Sequence, residues 1–220
     1  CLASIMIDSE HDHETISLEF NPDSSWLAIK TDHKLSLYAC KDLVQQDVNV
    51  APTSSWEFNQ ILTFGFTHDS QKILVITPGY GILYDCATGD GLAKLDFEGN
   101  KVLDKPLFTP DDTQVIIALD YEYALYSCTE QKKIVSRKIN YPINTLTLSP
   151  DGKELLILAE PICLLVTTEG LKIQDNIKTD LFTLTKMAFS KDSLYSAITS
   201  NNTCSIFARG TKRALQTFSC

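Results

Sequence analysis

Positive charge is scarce in this chain: 19 Lys and Arg stand against 28 Asp and Glu in 220 residues, a formal net charge of −9. The few cations are scattered along the sequence. A phosphate backbone would be repelled by such a surface, which argues against a nucleic-acid partner. Histidine is limited to four residues, and no GxSxG, HExxH or Walker sequence occurs, so there is little material for a general base or a phosphate cradle. The seven cysteines are odd in number and form no CxxC pair. Most of them lie inside apolar runs, where a free thiol behaves as a small hydrophobe, a pattern that suits a reducing compartment. Long apolar runs are missing too. "QVIIAL" and "ELLILA" fall far short of the roughly 20 residues that cross a membrane. "CLASIMI" has neither the basic flank nor the small-residue cleavage site of a signal peptide, and an opening on Cys1 is expected of a stretch cropped from a longer protein.

What the chain does contain is a repeat. "FNPD" ends at Asp23, "FTHD" at Asp69, "FTPD" at Asp111, "LSPD" at Asp151 and "FSKD" at Asp192, spaced by 46, 42, 40 and 41 residues. A period of about 40 to 45 residues is that of a propeller blade, a unit of four antiparallel strands that buries its faces only by stacking on its neighbours. Each unit runs in the same order: an apolar strand, the turn ending in Asp, a β-branched strand, a loop, a third strand, a turn and a weaker fourth strand. Helical periodicity is almost absent, so the expected class is all-β. Units are expected at 14–50, 58–98, 102–140, 143–178 and 182–220, with residues 2–7 as the outer strand of a preceding blade. The turn Asp is expected to bond backbone two residues on.

The glycine-rich stretch "PGYGILYDCATGDG", residues 78–91, invites a phosphate-loop reading. A phosphate loop needs a following helix N-terminus, and none is in prospect. Its glycines fall where the other units also turn, so it reads as hairpin chemistry. "ILYDCATGDGLAKL", after "FTHDSQKILVIT", resembles the core of a WD-repeat, in which an aromatic and an Asp close the third strand before a Gly-bearing turn. The matching aromatics are Tyr38, Tyr84, Tyr126 and Phe207, with Val166 in the remaining unit. Only Asp85 supplies the Asp, no Trp occupies the aromatic site, and the Gly-His dipeptide before the first strand is absent. The resemblance implies rings of about seven blades, of which this chain would be an arc of about five; a closed five- or six-bladed ring is the alternative.

Three groups of residues are candidates for function. His11 and His13, among the acids of "DSEHDHE", have the alternation of a borderline-metal ligand set and equally the composition of a solvated loop; no metal or other cofactor is assigned to them. Cys40, Cys86 and Cys128 follow the third-strand Tyr by two residues in successive units, at equivalent places about a blade-width apart, and read as packing residues. The loops joining second to third strands, and one unit to the next, hold eleven acids against three lysines. The family takes its partners on that face. Asp120 and Glu122 are among those acids, and Trp56, Phe58, Tyr80, Tyr121, Tyr123 and Tyr141 offer aromatic anchors there. Acidic loops with aromatics favour Arg- or Lys-rich peptides, although such loops also simply keep a surface soluble. The reading is a non-catalytic scaffold for protein or peptide partners, in the cytoplasm or nucleus of a eukaryote. The competing readings are a propeller enzyme, which needs His, Arg or carboxylates converging on a channel, and a ribonucleoprotein subunit using Lys132, Lys133, Arg209, Lys212 and Arg213.

Overall fold

The computed structural model describes residues 16–43, 50–97, 102, 104–177, 184–200, 203–211 and 213–219. They form five four-stranded antiparallel sheets, each a meander in chain order. The first comprises β1 (Ser17–Phe20), β2 (Trp26–Lys30), β3 (Lys34–Ala39) and β4 (Ser54–Glu57). The second is β5 (Thr63–Phe66), β6 (Lys72–Thr77), β7 (Tyr80–Asp85) and β8 (Gly91–Asp96). The third is β9 (Leu107–Phe108), β10 (Gln114–Ala118), β11 (Glu122–Ser127) and β12 (Lys132–Lys138). The fourth is β13 (Thr145–Leu148), β14 (Glu154–Ala159), β15 (Ile162–Thr167) and β16 (Lys172–Ile177), and the fifth β17 (Leu184–Phe189), β18 (Tyr195–Ser200), β19 (Thr203–Ala208) and β20 (Gln216–Ser219). These are the blade-like sheets expected from the repeat. The outer strand expected at 2–7 lies outside the described residues.

The first sheet differs from expectation in its last strand. The repeat pattern closes that unit at residue 50, but β4 begins at Ser54 and pairs with β3 through Leu35 and Trp56. A short polar strand, "SSWE", reached after a long connection that begins with the helical turn α1 (Cys40–Leu43), carries little periodic signal.

One turn builds all five sheets. The residue after the first strand is Asn21, Thr67, Thr109, Ser149 or Ser190, and its backbone N–H donates to the carbonyl of the residue that opens the second strand, at 2.8–3.1 Å. Its side-chain oxygen accepts from that residue's N–H at 2.9–3.2 Å. In the last four sheets the same hydroxyl donates to the Asp two residues on, at 2.6–2.7 Å. Every turn Asp also accepts from the N–H two residues beyond it, at 2.9–3.2 Å. The residue after the Asp takes positive φ in all five: Ser24, Ser70, Asp112, Gly152 and Ser193. Most of the polar groups of such a turn are satisfied within it, which fixes the register of the first two strands, and the Asp23 and Asp151 N–H groups donate onward to Ser70 and Ser193 of the next sheet's turn.

These bonds set the electrostatics of the turns. Hydrogen bonds from Ser25, Thr109 and Ser190 are the largest influence on Asp23, Asp111 and Asp192, and hold those carboxyls below the ordinary range. At Asp69 and Asp151 burial is the largest influence and pushes upward, but the donors outweigh it, with Arg209 foremost at Asp151, which falls to about 2.

Burial follows strand position. β14 is buried along its whole length, and Ile73–Ile76 of β6 and Val115–Ala118 of β10 are fully enclosed. Inner strands covered on both faces read as continuous apolar runs, which is why "LLILA" and "VIIA" lack alternation. The fourth strands alternate or are open, as β8 does with Ala93 and Leu95 inward.

The chain divides into two compact units, residues 1–101 with 128–132, and 102–127 with 133–220. In the first, Ala28, Leu35 and Leu37 pack with Phe64, Ile73, Val75 and Tyr84. In the second, β14 contributes to two cores: Leu155, Ile157 and Ala159 face one, Leu156 and Leu158 the other.

Candidate interaction surface

The glycine-rich stretch 78–91 is two hairpin turns. Pro78 and Gly79 join β6 to β7, with Gly79 at φ +89. The Asp85 side chain accepts from the N–H groups of Ala87 and Thr88, both at 2.9 Å, closing the turn into β8. No helix follows it.

The aromatic and acidic candidates divide between the two units. In the first unit, Trp56 stands in β4 rather than in a loop. Its indole N–H donates to the Gly89 carbonyl at 3.1 Å, and its ring lies 4.4 Å from that of Tyr84. Phe58 is half-buried against the same core and is tied by its N–H to the His33 carbonyl at 2.8 Å. Tyr80 opens β7, and the Lys94 ammonium sits over its ring at 5.0 Å. All three are engaged within their own unit.

In the second unit, Asp120 and Tyr121 form the two-residue tip between β10 and β11, closed by Leu119 N–H to the Glu122 carbonyl at 2.7 Å. The connection from β12 to β13 is laced to that tip: Ile139 N–H donates to Tyr121 O and Ile143 N–H to Asp120 O, both at 2.9 Å. Tyr121 and Tyr141 therefore stand on adjoining, tethered loops, and both are exposed, at 50% and 39%. Glu160 continues the rim, its N–H bonded to the Asn144 side chain at 3.3 Å. Asp104 braces the base of the next sheet by accepting from Thr145 Oγ1 at 2.6 Å.

Two expected rim residues are corrected. β11 begins at Glu122, two residues earlier than the pattern "DYEY / ALYSC" implies, so Glu122 and Tyr123 are strand residues. Tyr123 is fully buried among Ile116, Ala118, Ile143 and Leu146 and offers no contact area. Glu122 is 7% exposed, and Lys133 Nζ lies 3.9 Å from it. The aromatic rim of the second unit reduces to Tyr121 and Tyr141.

His11 and His13 lie outside the described residues. Among the described residues no group of three His, Cys, Asp or Glu is placed to hold a metal. Cys86 and Cys128 are buried and Cys40 is half-buried, as packing residues are. The basic residues weighed for RNA are mostly occupied within the chain: Lys132 pairs with Glu130 at 2.7 Å, and Arg209 with Asp151 at 2.7 Å and Glu154 at 3.3 Å. Arg213 is exposed and Lys212 lies outside the described residues.

The sequence offers Asp111 and Asp151 only as turn residues and Arg209 only as a possible RNA contact, whereas Arg209 pairs with Asp151. The signal was present in the hydroxyl two residues before four of the five Asp residues. No protein-family model matches the chain, and no curated protein matches it.

Proposed function

We propose that this chain is a non-catalytic interaction platform, a WD-like propeller segment that presents the loops around Tyr121 and Tyr141 to a basic protein or peptide in the cytoplasm or nucleus. The observation that carries this reading is the tethered pair of exposed tyrosines flanked by Asp120 and Glu160. Rigid aromatics on loops tied by backbone bonds give contact area at low entropic cost. Carboxylates beside them favour cationic side chains and speed encounter. Partner capture from cell extract tests it, comparing the intact chain with an Asp120→Lys/Glu160→Lys variant and with Tyr121→Ala/Tyr141→Ala. Loss of the same set of proteins with both variants supports the platform; an unchanged set would sink it.

A further inference from the structure

Two clefts between neighbouring sheets of the second unit involve the repeated turns, and they differ greatly in size. The cleft between the fourth and fifth sheets has a volume of about 10 Å³. The cleft between the third and fourth has about 510 Å³. An arginine side chain lines the smaller cleft, and no Lys or Arg lines the larger. Arg209, just after β19, lines the smaller cleft, where its Nε lies 3.3 Å from Glu154 Oε2; its Nη1 donates at 2.7 Å to Oδ2 of Asp151, which lines the larger cleft.

The position equivalent to Arg209 in the fourth sheet is Thr168. The N–H of each donates to the carbonyl just before the second strand: Arg209 to Leu194 at 2.8 Å, Thr168 to Lys153 at 3.0 Å. The residues equivalent to Asp151 and Glu154 in the third sheet are Asp111 and Gln114. The larger cleft thus keeps a carboxylate and a carbonyl-bearing amide where its neighbour binds a guanidinium, but Thr168 is too short to reach them and turns its hydroxyl to the Gly152 carbonyl at 2.7 Å. Asp111 Oδ2 accepts from Thr113 Oγ1 at 2.9 Å and has capacity for a further donor. Glu169 adds negative charge to the lining, which includes no Lys or Arg; Asp151 is already paired with Arg209, and Leu125 and the exposed Ile134 supply apolar surface. The cations nearby are Arg209, on Asp151 at 2.7 Å, Arg137, which donates to the Gly170 carbonyl at 3.1 Å, and Lys172, whose side chain also approaches Gly170.

We infer that this cleft accepts an arginine side chain from a protein partner, with an adjacent aliphatic residue resting on Ile134. The molecule supplies its own template, because Arg209 fills the equivalent place one sheet further on. The planar fork of a guanidinium suits a carboxylate beside an amide oxygen better than an ammonium does. This surface is separate from the tyrosine rim and does not depend on it.

The test is fluorescence anisotropy with the whole chain and a labelled peptide, acetyl-Gly-Leu-Arg-Leu-Gly-amide, against the same peptide with citrulline for arginine. Citrulline keeps the shape and removes the charge. The arginine peptide is expected to bind about tenfold tighter than the citrulline peptide, and Asp111→Asn to remove most of that difference. Thr168→Arg combined with Gln114→Glu should plug the cleft from within, abolishing binding while raising the melting temperature. Loss of binding with Asp120→Lys but not with Asp111→Asn would overturn the inference, by placing the peptide on the tyrosine rim instead. Absence of binding to the native chain, equal binding of the citrulline peptide, or full binding by a folded plugged variant would each overturn the inference. Concentration-dependent self-association removed by Arg213→Ala would overturn it too, by making a second copy the occupant.

Discussion

The fourth and fifth sheets share one turn and end with very different surfaces. In both, a serine hydroxyl bonds the turn Asp, at 2.7 Å from Ser149 to Asp151 and 2.6 Å from Ser190 to Asp192. Yet β14 is buried at all six positions, whereas Leu194, just before β18, and Tyr195, which opens it, are exposed and β20 is open throughout. The residues of β14 enter cores on both of its faces; β18 contributes Ile198 to one. Local turn chemistry is thus enough to shape a sheet, and burial depends on what packs against each face. The strands that look most hydrophobic in sequence are those with cover on both sides.

That contrast is open to attack at several strengths. Leu156→Ala or Ile157→Ala should cost about 3 kcal/mol in urea unfolding, since each removes a fully enclosed side chain from a strand with cores on both sides. Tyr195→Ala should stay within about 0.5 kcal/mol. Equal costs would erase the distinction between the two sheets. Gly152→Ala comes next. Gly152 has φ +72, and a Cβ there would stand 2.4 Å from Pro110 Cδ. The positive φ alone costs a residue with Cβ about 1–2 kcal/mol, and a Pro110→Ala background should relieve the clash and leave that remainder. Serine is tolerated at the equivalent place elsewhere: Ser70 Oγ accepts from Asp23 N–H, and Ser193 Oγ from Asp151 N–H, both at 3.1 Å.

Acid gives a smaller effect. The Asp151 carboxyl lies at about 2 in the folded chain, against an ordinary 3.8. A folded value below the unfolded one means stability that is complete above pH 4 and is lost as pH falls toward 2. Its side chain and that of Arg209 are nearly a third exposed, so screening reduces the contribution to about 1 kcal/mol. Asp151→Asn should flatten the stability profile between pH 4 and 2; a profile unchanged by the substitution would show that the ion pair contributes nothing. The smallest expected effect is Asp192→Asn in the more open fifth sheet, where the turn has the same hydroxyl bond without an arginine.

Much of the architecture was legible because the repeated Asp sits in a turn closed by bonds among neighbours in sequence, from the Asp to the N–H two residues on and across the turn to the opening of the next strand. Once the turn is recognised, the strands on either side follow. The bond from each Asp to the backbone two residues on was expected and is present in all five turns. The strand starts were harder to read. "DYEY" looks like a loop because its residues are polar and aromatic, but a two-residue hairpin needs only Asp120 and Tyr121, and pairing with Ala118 draws Tyr123 into the core. Trp56 reads as a loop residue for the opposite reason, since a long connection hides the strand that carries it. The cleft beside Asp111 is invisible in one dimension: its lining joins Asp111 and Gln114 of the third sheet to Thr168 of the fourth, which stands where Arg209 stands 41 residues later.

Cys86 and Cys163 are buried, at 1% and 0% exposure, and burial drives both thiols up to about 12. A sulfhydryl so placed is silent toward an alkylating reagent until its surroundings open. Cys86 belongs to one compact unit and Cys163 to the other. The chain therefore carries a chemical clock in each half, and the rates at which a thiol reagent traps the two residues would show whether the halves breathe together or in turn.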